Sequence, residues 1–221
     1  MESPNALARF NMIQQQIRPW SVLDERVLGA MAEIGRERFV PDGYQGLAYA
    51  DIEVPLANGG HMLPPRVTAR MLQALAVQPD ERVLEIGTGS GYATACLAAL
   101  GAQVLSLEID PEQAEIARAH LAELGTERVE IRAADGLAGP IEGGPFDAIL
   151  LNGALPSDSA LDALQSQLAL GGRLCCILGE APVMEAVLIT RGGGQDYQRE
   201  PLFETLAGTL RNAPAREQFV F

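Results

Sequence analysis

The sequence predicts an α/β fold in which a mostly parallel sheet carries helices on both faces. From residue 82 onward, short apolar runs alternate with segments of helical length, which is the pattern of consecutive strand–helix–strand units. A glycine-rich junction, VLEIGTGSG at residues 83–91, contains the first of these runs. With 221 residues and no internal repeat, the chain is expected to form one domain over residues 1–221.

The N-terminal part of the chain predicts two amphipathic helices, at residues 4–18 and 22–35, separated at Pro19. The apolar face of the first helix would be formed by Leu7, Phe10, Ile13 and Ile17. Residues 36–65 lose this periodicity and are rich in Pro and Gly, and so long a loop in a compact domain is often functional. A further helix is expected at residues 66–75.

The remaining elements follow from alternation and from glycines that stand where helices end. Parallel strands are expected at residues 82–86, 103–108, 128–132, 146–151 and 173–178. Helices are expected at residues 91–99, 111–124 and 158–169. Two late apolar runs, 186–190 and 218–221, suit closing strands, which gives a seven-stranded sheet.

Composition excludes several classes of function. The formal net charge is −13 and all sixteen basic residues are Arg, so binding to nucleic acid or to an anionic membrane is not expected, and neither Schiff-base chemistry nor a Lys-containing phosphate loop is available. Cys96, Cys175 and Cys176 lack metal-ligand or redox spacing and predict small buried side chains, so no metal is expected. No segment resembles a signal peptide or a membrane span, which predicts a soluble, cytoplasmic protein.

The glycine-rich junction predicts a ligand that lies against the backbone. Gly87, Gly89 and Gly91 recur at every second position, whereas a dinucleotide fold favours Gly-x-Gly-x-x-Gly. A carboxylate before them, Glu85, suits a ligand with an ammonium group or hydroxyls rather than a phosphate. The pattern resembles the loop of the S-adenosylmethionine-dependent methyltransferases, which implies a Rossmann-like fold and S-adenosyl-L-methionine as cofactor; the alternative is a glycine-rich turn in another α/β protein.

The other cofactor candidates stand at strand ends, where parallel sheets bind ligands. Glu108 ends the second strand and can accept hydrogen bonds from both ribose hydroxyls, while Asp110 would cap the following helix. Asp135, with Gly136, either contacts the adenine amino group or forms a simple turn. Asn152 has a weaker case, because Asn is common in turns. The predicted cofactor set is completed by Thr88 and Ile109.

Several segments resemble one family, the protein-L-isoaspartate (D-aspartate) O-methyltransferases. The matching segments are Met12–Arg18, Asp24–Leu28, Arg36–Pro41, Ala48–Asp51, Val54–Leu56, Asp135-Gly136, Pro145–Ile149, Gln167-Leu168 and Gly171–Leu174. The resemblance implies that residues 1–78 form N-terminal helices with an acceptor-side loop, and that residues 79–221 form the cofactor-binding core with its closing strands. It also implies isoaspartyl-containing proteins or peptides as methyl acceptors.

One departure from the family falls in its signature loop, Gly-Gln-Thr-Ile-Ser. The aligned residues are Gly59, Gly60, His61, Met62 and Leu63, so that Gln, Thr and Ser are replaced. The family's Ser is assigned a catalytic role that Leu63 cannot take over, since it donates no hydrogen bond. The loop from Gly60 to Leu63 is the candidate substrate site. The C-terminus also departs from the family's usual ending, which helps to enclose the substrate.

Three functions remain open from the sequence. The first is methylation of isoaspartyl carboxylates, which needs no strong base because a carboxylate is already ionised at neutral pH. The second is methylation of another acceptor, such as a small molecule, with His61 as the tentative catalytic residue that orients or deprotonates a hydroxyl. The third is a non-catalytic module that binds the cofactor and acts through a partner protein. The second histidine, His120, lies mid-helix and is expected to face solvent.

Overall fold

The computed structural model describes residues 4–215. Helix α1, Pro4–Asn11, runs into a π-helical turn at Met12–Ile17, and a 3₁₀ turn at Arg18–Trp20 ends the segment. Ile13 and Ile17 are buried, but Leu7 and Phe10 are exposed by 55% and 58%, so the predicted single apolar face was wrong for its first half. The wider π-helical turn changes the angle between successive side chains, and the apolar stripe is therefore not continuous across it.

The segment from residue 36 to 65 is irregular but packed. Helix α2, Glu25–Glu33, begins at Asp24, whose side chain accepts a hydrogen bond from the Arg26 N–H. After it come two 3₁₀ turns and a small antiparallel hairpin of β1, Val54–Pro55, and β2, His61–Met62. Helix α3, Pro65–Leu75, then leads to the main sheet.

The main sheet has seven strands in the order β5-β4-β3-β6-β7-β8-β9, and its first five are parallel. The strands are β3 Arg82–Ile86, β4 Gln103–Glu108, β5 Val129–Ala133, β6 Phe146–Leu155, β7 Leu168–Glu180, β8 Val183–Arg191 and β9 Tyr197–Glu204. The helices between them are α4 Tyr92–Ala99, α5 Pro111–Glu123 and α6 Leu161–Gln165. The Rossmann-like α/β prediction is confirmed.

Two late elements differ from the prediction. The expected helix at 158–169 is only the short α6, because Leu168 already pairs with Phe146 of β6 as the first residue of β7. The strand that closes the sheet is β9 at Tyr197–Glu204, which pairs antiparallel with β8. The predicted strand at 218–221 lies outside the described residues.

Two apolar layers pack on opposite faces of the sheet. Because neighbouring side chains in a strand point to opposite faces, Val83 and Leu84 belong to different layers, as do Cys175 and Cys176. All three cysteines are buried, as predicted, and burial raises the pKa of each thiol, so none is poised as a nucleophile. Within residues 4–215, no helix has the length and apolar character needed to cross a bilayer.

Candidate active site

A cavity opens at the point of the sheet where strand order reverses. The chain moves outward from β3 to β5 and returns to β6 on the other side of β3, which leaves a crevice at the carboxyl ends of β3 and β6. The cavity there has a volume of about 1050 Å³, its open mouth included. Its walls are formed by residues 86–90, 107–109, 134–137, 58–63 and 208–211, together with Asn152. The predicted cofactor and substrate segments are thus brought together.

The glycine loop forms one wall of the cavity. Gly87, Gly89 and Gly91 have φ values of +86°, +55° and +87°, a region that residues with a Cβ rarely occupy. The N–H groups of Gly87 and Thr88 both donate to the Leu107 carbonyl, at 2.9 and 3.3 Å. The loop is therefore fixed to β4 through backbone hydrogen bonds, with its bare backbone turned toward the cavity.

Glu85 lies behind the loop instead of on the cavity wall. Its carboxylate is fully buried and accepts hydrogen bonds from Ser106 (2.6 Å), Thr94 (2.5 Å) and the Asn152 amide (2.6 Å). Burial raises the pKa of Glu85 to about 7 despite these three donors. The expectation that this carboxylate meets the ligand directly is corrected: Glu85 joins the ends of β3, β4 and β6 beneath the ligand site.

Glu108 is the acid that reaches the cavity wall. One carboxylate oxygen accepts from the Gly89 N–H at 2.8 Å and the other from the Asp110 N–H at 3.2 Å. Asp110 caps α5 by accepting from the N–H groups of Glu112 and Gln113, which confirms its predicted role. Glu108 therefore both orders the glycine loop and presents acceptor oxygens beside Ile109.

Asp135 follows β5, on one side of Glu108, and Asn152 lies in β6, on the other side. One Asp135 oxygen accepts from the Leu137 N–H at 2.9 Å, so the residue does form a turn, and the other accepts from the Asn212 amide at 2.9 Å. Gly136 follows in the same wall. Asn152 donates to Glu85 at 2.6 Å and to the Gly87 carbonyl at 3.2 Å. Its amide thus couples β6 to the loop.

The opposite wall carries the candidate substrate residues. The Gly60 N–H donates to the Asn58 side chain at 2.9 Å, which shapes the hairpin turn. His61 is exposed and forms no side-chain hydrogen bond within residues 5–215, whereas Met62 and Leu63 are each only 6% exposed. All four residues from Gly60 to Leu63 line the cavity, facing the glycine loop.

A C-terminal strap, Gly208–Asn212, closes over the cavity and was not anticipated from the sequence. Its backbone pairs with Ala154, which donates to the Gly208 carbonyl and accepts from the Leu210 N–H, both at 2.9 Å. Arg211 donates to the Asn58 carbonyl on one wall and to Asp110, at 3.3 Å, on the other. These contacts join residues 101 and 153 positions apart, so no local pattern could reveal them.

His120 does not face solvent, contrary to the prediction. It is half-buried, and its Nδ1 lies 2.9 Å from the Ser90 carbonyl of the glycine loop. The ring packs edge-on against Phe39, with centroids 5.4 Å apart. His120 therefore links α5 to the loop and to the segment that follows α2.

The residues present fit an adenosyl cofactor. A Cβ at Gly87 would lie 3.0 Å from Leu210 and 3.7 Å from the Asn152 carbonyl, so that glycine keeps open the space between the loop and the strap. Glu108 and Asp135 offer carboxylate acceptors on the same cavity wall, as ribose hydroxyls and an adenine amino group require.

Comparison with known proteins places the chain among methyltransferases. Residues 8–200 match the family model of protein-L-isoaspartate(D-aspartate) O-methyltransferase. The chain is 41% identical over 215 residues to a protein-L-isoaspartate O-methyltransferase of Koribacter versatilis, covering 96% of each protein. It is also 41% identical over 192 residues to such an enzyme of Marinobacter nauticus, covering 86% of this chain and 87% of the relative.

Solved structures share the fold. A beta-aspartate methyltransferase of Plasmodium falciparum, solved with S-adenosyl-L-homocysteine, superposes with a TM-score of 0.79 at 20% identity over 95% of this chain and 99% of that one. A further protein-L-isoaspartate O-methyltransferase gives a TM-score of 0.77 at 24% identity, over 94% of this chain and 67% of that one.

Proposed function

The chain belongs to the protein-L-isoaspartate (D-aspartate) O-methyltransferase family, and we propose that it methylates the free carboxylate of isoaspartyl residues in damaged proteins. It is an S-adenosylmethionine-dependent enzyme of that family. The observation that carries the acceptor proposal is the placement of Gly60–Leu63 directly across one cavity from the glycine loop. An acceptor held at that hairpin faces a cofactor held on the loop.

When bound, S-adenosylmethionine would supply a methyl group on a sulfonium, and transfer of that methyl to a carboxylate oxygen would leave the sulfur as a neutral thioether. Gly87 and Gly89 would hold the cofactor against the backbone, Glu108 would accept from its ribose, and Asp135 would accept from its adenine. Because the attacking carboxylate is already ionised, these residues need only position the reactants and exclude water. The buried side chains of Met62 and Leu63 make that side of the cavity apolar.

Leu63 stands where the family's signature loop has a Ser, so the Ser hydroxyl is absent. This favours a second candidate, a methyltransferase for a hydroxyl-bearing small molecule. His61 is exposed at the cavity wall and its imidazole has no partner within residues 5–215, so its ring nitrogens are free to hydrogen-bond to an acceptor hydroxyl. In the first candidate the same imidazole orients the acceptor carboxylate.

Tritiated methyl transfer to an isoaspartyl peptide tests the proposal, with the same peptide containing normal Asp as the matched control. We expect label only in the isoaspartyl peptide. Binding of S-adenosylhomocysteine without any label would reject the isoaspartyl acceptor and leave the cofactor assignment intact. A His61→Thr, Leu63→Ser double variant distinguishes the candidates further: transfer that arises only in this variant shows that the loop has left the family reaction.

A further inference from the structure

Arg36 is a buried cation without a carboxylate partner. Only 1% of the residue is exposed, and it belongs to none of the ion pairs formed within residues 5–215. Its Nη2 donates to the Leu63 carbonyl at 2.8 Å, while its Nε has no hydrogen-bond partner. Such a charge is costly to withdraw from water, because a single carbonyl compensates little of its lost hydration.

The surroundings of Arg36 belong to the cavity. Its guanidinium lies 5.0 Å from the centre of the Tyr92 ring, and the buried Tyr92 hydroxyl lies beside the Cys96 thiol. Both residues line the cavity, beside Ser90 and Ala93 at the start of α4, where the helix dipole is positive. An incompletely satisfied guanidinium and a helix N-terminus thus lie at the same end of the cavity.

The acids of the cavity wall do not supply the missing charge. Glu108 accepts from the N–H groups of Gly89 and Asp110, and Asp135 is engaged by Leu137 and Asn212. Asp51, a carboxylate whose charge acts on Arg36, is paired with Arg66 at 2.7 Å through one oxygen, and its other oxygen is buried without a hydrogen-bond partner. Arg36 therefore has no carboxylate in hydrogen-bond contact, and its guanidinium is free to bind an anionic group of a ligand in the cavity.

We propose that Arg36 is the carboxylate-binding residue of this cavity. On the proposed function, two ligands bring a carboxylate there: the amino-acid end of the cofactor and the isoaspartyl acceptor. Guanidinium binds either one through charge-assisted hydrogen bonds, which are about twice as strong as neutral ones. Arg36 then also links ligand binding to the acceptor hairpin, since it holds the Leu63 carbonyl.

Calorimetry with pairs of ligands that differ only in this charge tests the proposal. S-adenosylhomocysteine is compared with its carboxamide, and an isoaspartyl peptide with the same peptide carrying an amide in place of that carboxylate. In the wild type the acid of one pair should bind about 10- to 100-fold more tightly than the amide. Arg36→Gln should bring that ratio close to one, and the pair affected identifies the source of the carboxylate.

Arg26→Gln is the matched control, because Arg26 also donates to backbone carbonyls, those of Val77 and Leu100, but does not line the cavity. It should leave both ratios unchanged. A folded Arg36→Gln that keeps both ratios overturns the proposal and leaves Arg36 as a clamp on the hairpin. If that variant does not fold, Arg36→Lys, which keeps the positive charge, should keep the preference for the acid over the amide. A wild type that binds acid and amide equally in both pairs also overturns the proposal. Discrimination without methyl transfer to the peptide supports Arg36 while rejecting the isoaspartyl acceptor.

Discussion

Two walls face each other across one cavity: the glycine-loop wall, residues 86–90, and the hairpin wall, residues 58–63. Different interactions hold them in place. The first is fixed by strand ends: Glu85 ties β3, β4 and β6 together, and Glu108 holds the Gly89 N–H. The second consists of a hairpin with only two residues in each strand, together with the strap, and the long-range contacts of Arg211 join the two. A buried polar network is rigid when satisfied, whereas exposed contacts stabilise little and open easily.

The difference indicates where the enzyme can vary. The wall that positions the cofactor allows little change, because its polar side chains are hydrogen-bonded and Glu85, Ser106 and Glu108 are buried. The hairpin wall departs from the family's signature at Gly60, His61 and Leu63 while it keeps its place in the cavity. Three predictions, from the largest expected effect to the smallest, probe this contrast.

The largest effect is expected from Glu85→Gln. The folded pKa of about 7 lies above the ordinary value of 4.5, so the stability contribution of Glu85 is present below pH 4.5 and is lost as pH rises through 7. The variant should become more stable relative to wild type by about 3 kcal/mol over this range, at about 1.4 kcal/mol per pKa unit. Urea unfolding at several pH values measures the difference, with the exposed Glu115→Gln as control. A difference in unfolding free energy that does not vary with pH would contradict the raised pKa of Glu85.

Glu108→Ala should weaken binding of S-adenosylhomocysteine about 100-fold, because it removes hydrogen bonds to a charged acceptor and releases the glycine loop. Isothermal titration calorimetry measures this. Glu112→Ala, an exposed acid in the first turn of α5, is the control and should bind normally. Equal affinities in the two variants would show that Glu108 does not hold the cofactor.

Arg211→Ala should raise the dissociation rate of S-adenosylhomocysteine about fivefold while changing the unfolding free energy by less than about 1 kcal/mol, since its contacts are exposed. Stopped-flow displacement and urea unfolding give the two values. Arg199→Ala, which breaks an exposed pair with Asp158 away from the cavity, serves as control. A large loss of stability without a faster rate would assign the strap a structural role.

The sequence predicted the cofactor wall well because its residues stand at strand ends. Apolar runs located β3, β4 and β6 closely enough to place Glu108 and Asn152, and parallel pairing brought those ends together. The role of Glu85 was missed, because the spacing does not show which side of the loop a carboxylate takes.

The length of the loop at residues 36–65 indicated a functional segment, but only family resemblance assigned residues 60–63 to the acceptor side. Arg36, His120 and the strap owe their places to partners far along the chain, such as Asn58 for Arg211. Helix α6 was overestimated for the same reason, since pairing of Leu168 with Phe146 overrides the helical pattern. Local periodicity carries no information about such contacts.

Steady-state kinetics of methyl transfer to an isoaspartyl peptide test most directly whether the two walls act separately. We expect Glu108→Ala to raise KM for S-adenosylmethionine and to leave KM for the peptide within about twofold. His61→Ala should do the reverse, with a rise of about tenfold in the peptide KM, since it removes a group that orients the acceptor. If each variant raises both KM values by the same factor, the division of the cavity into a cofactor wall and an acceptor wall is contradicted.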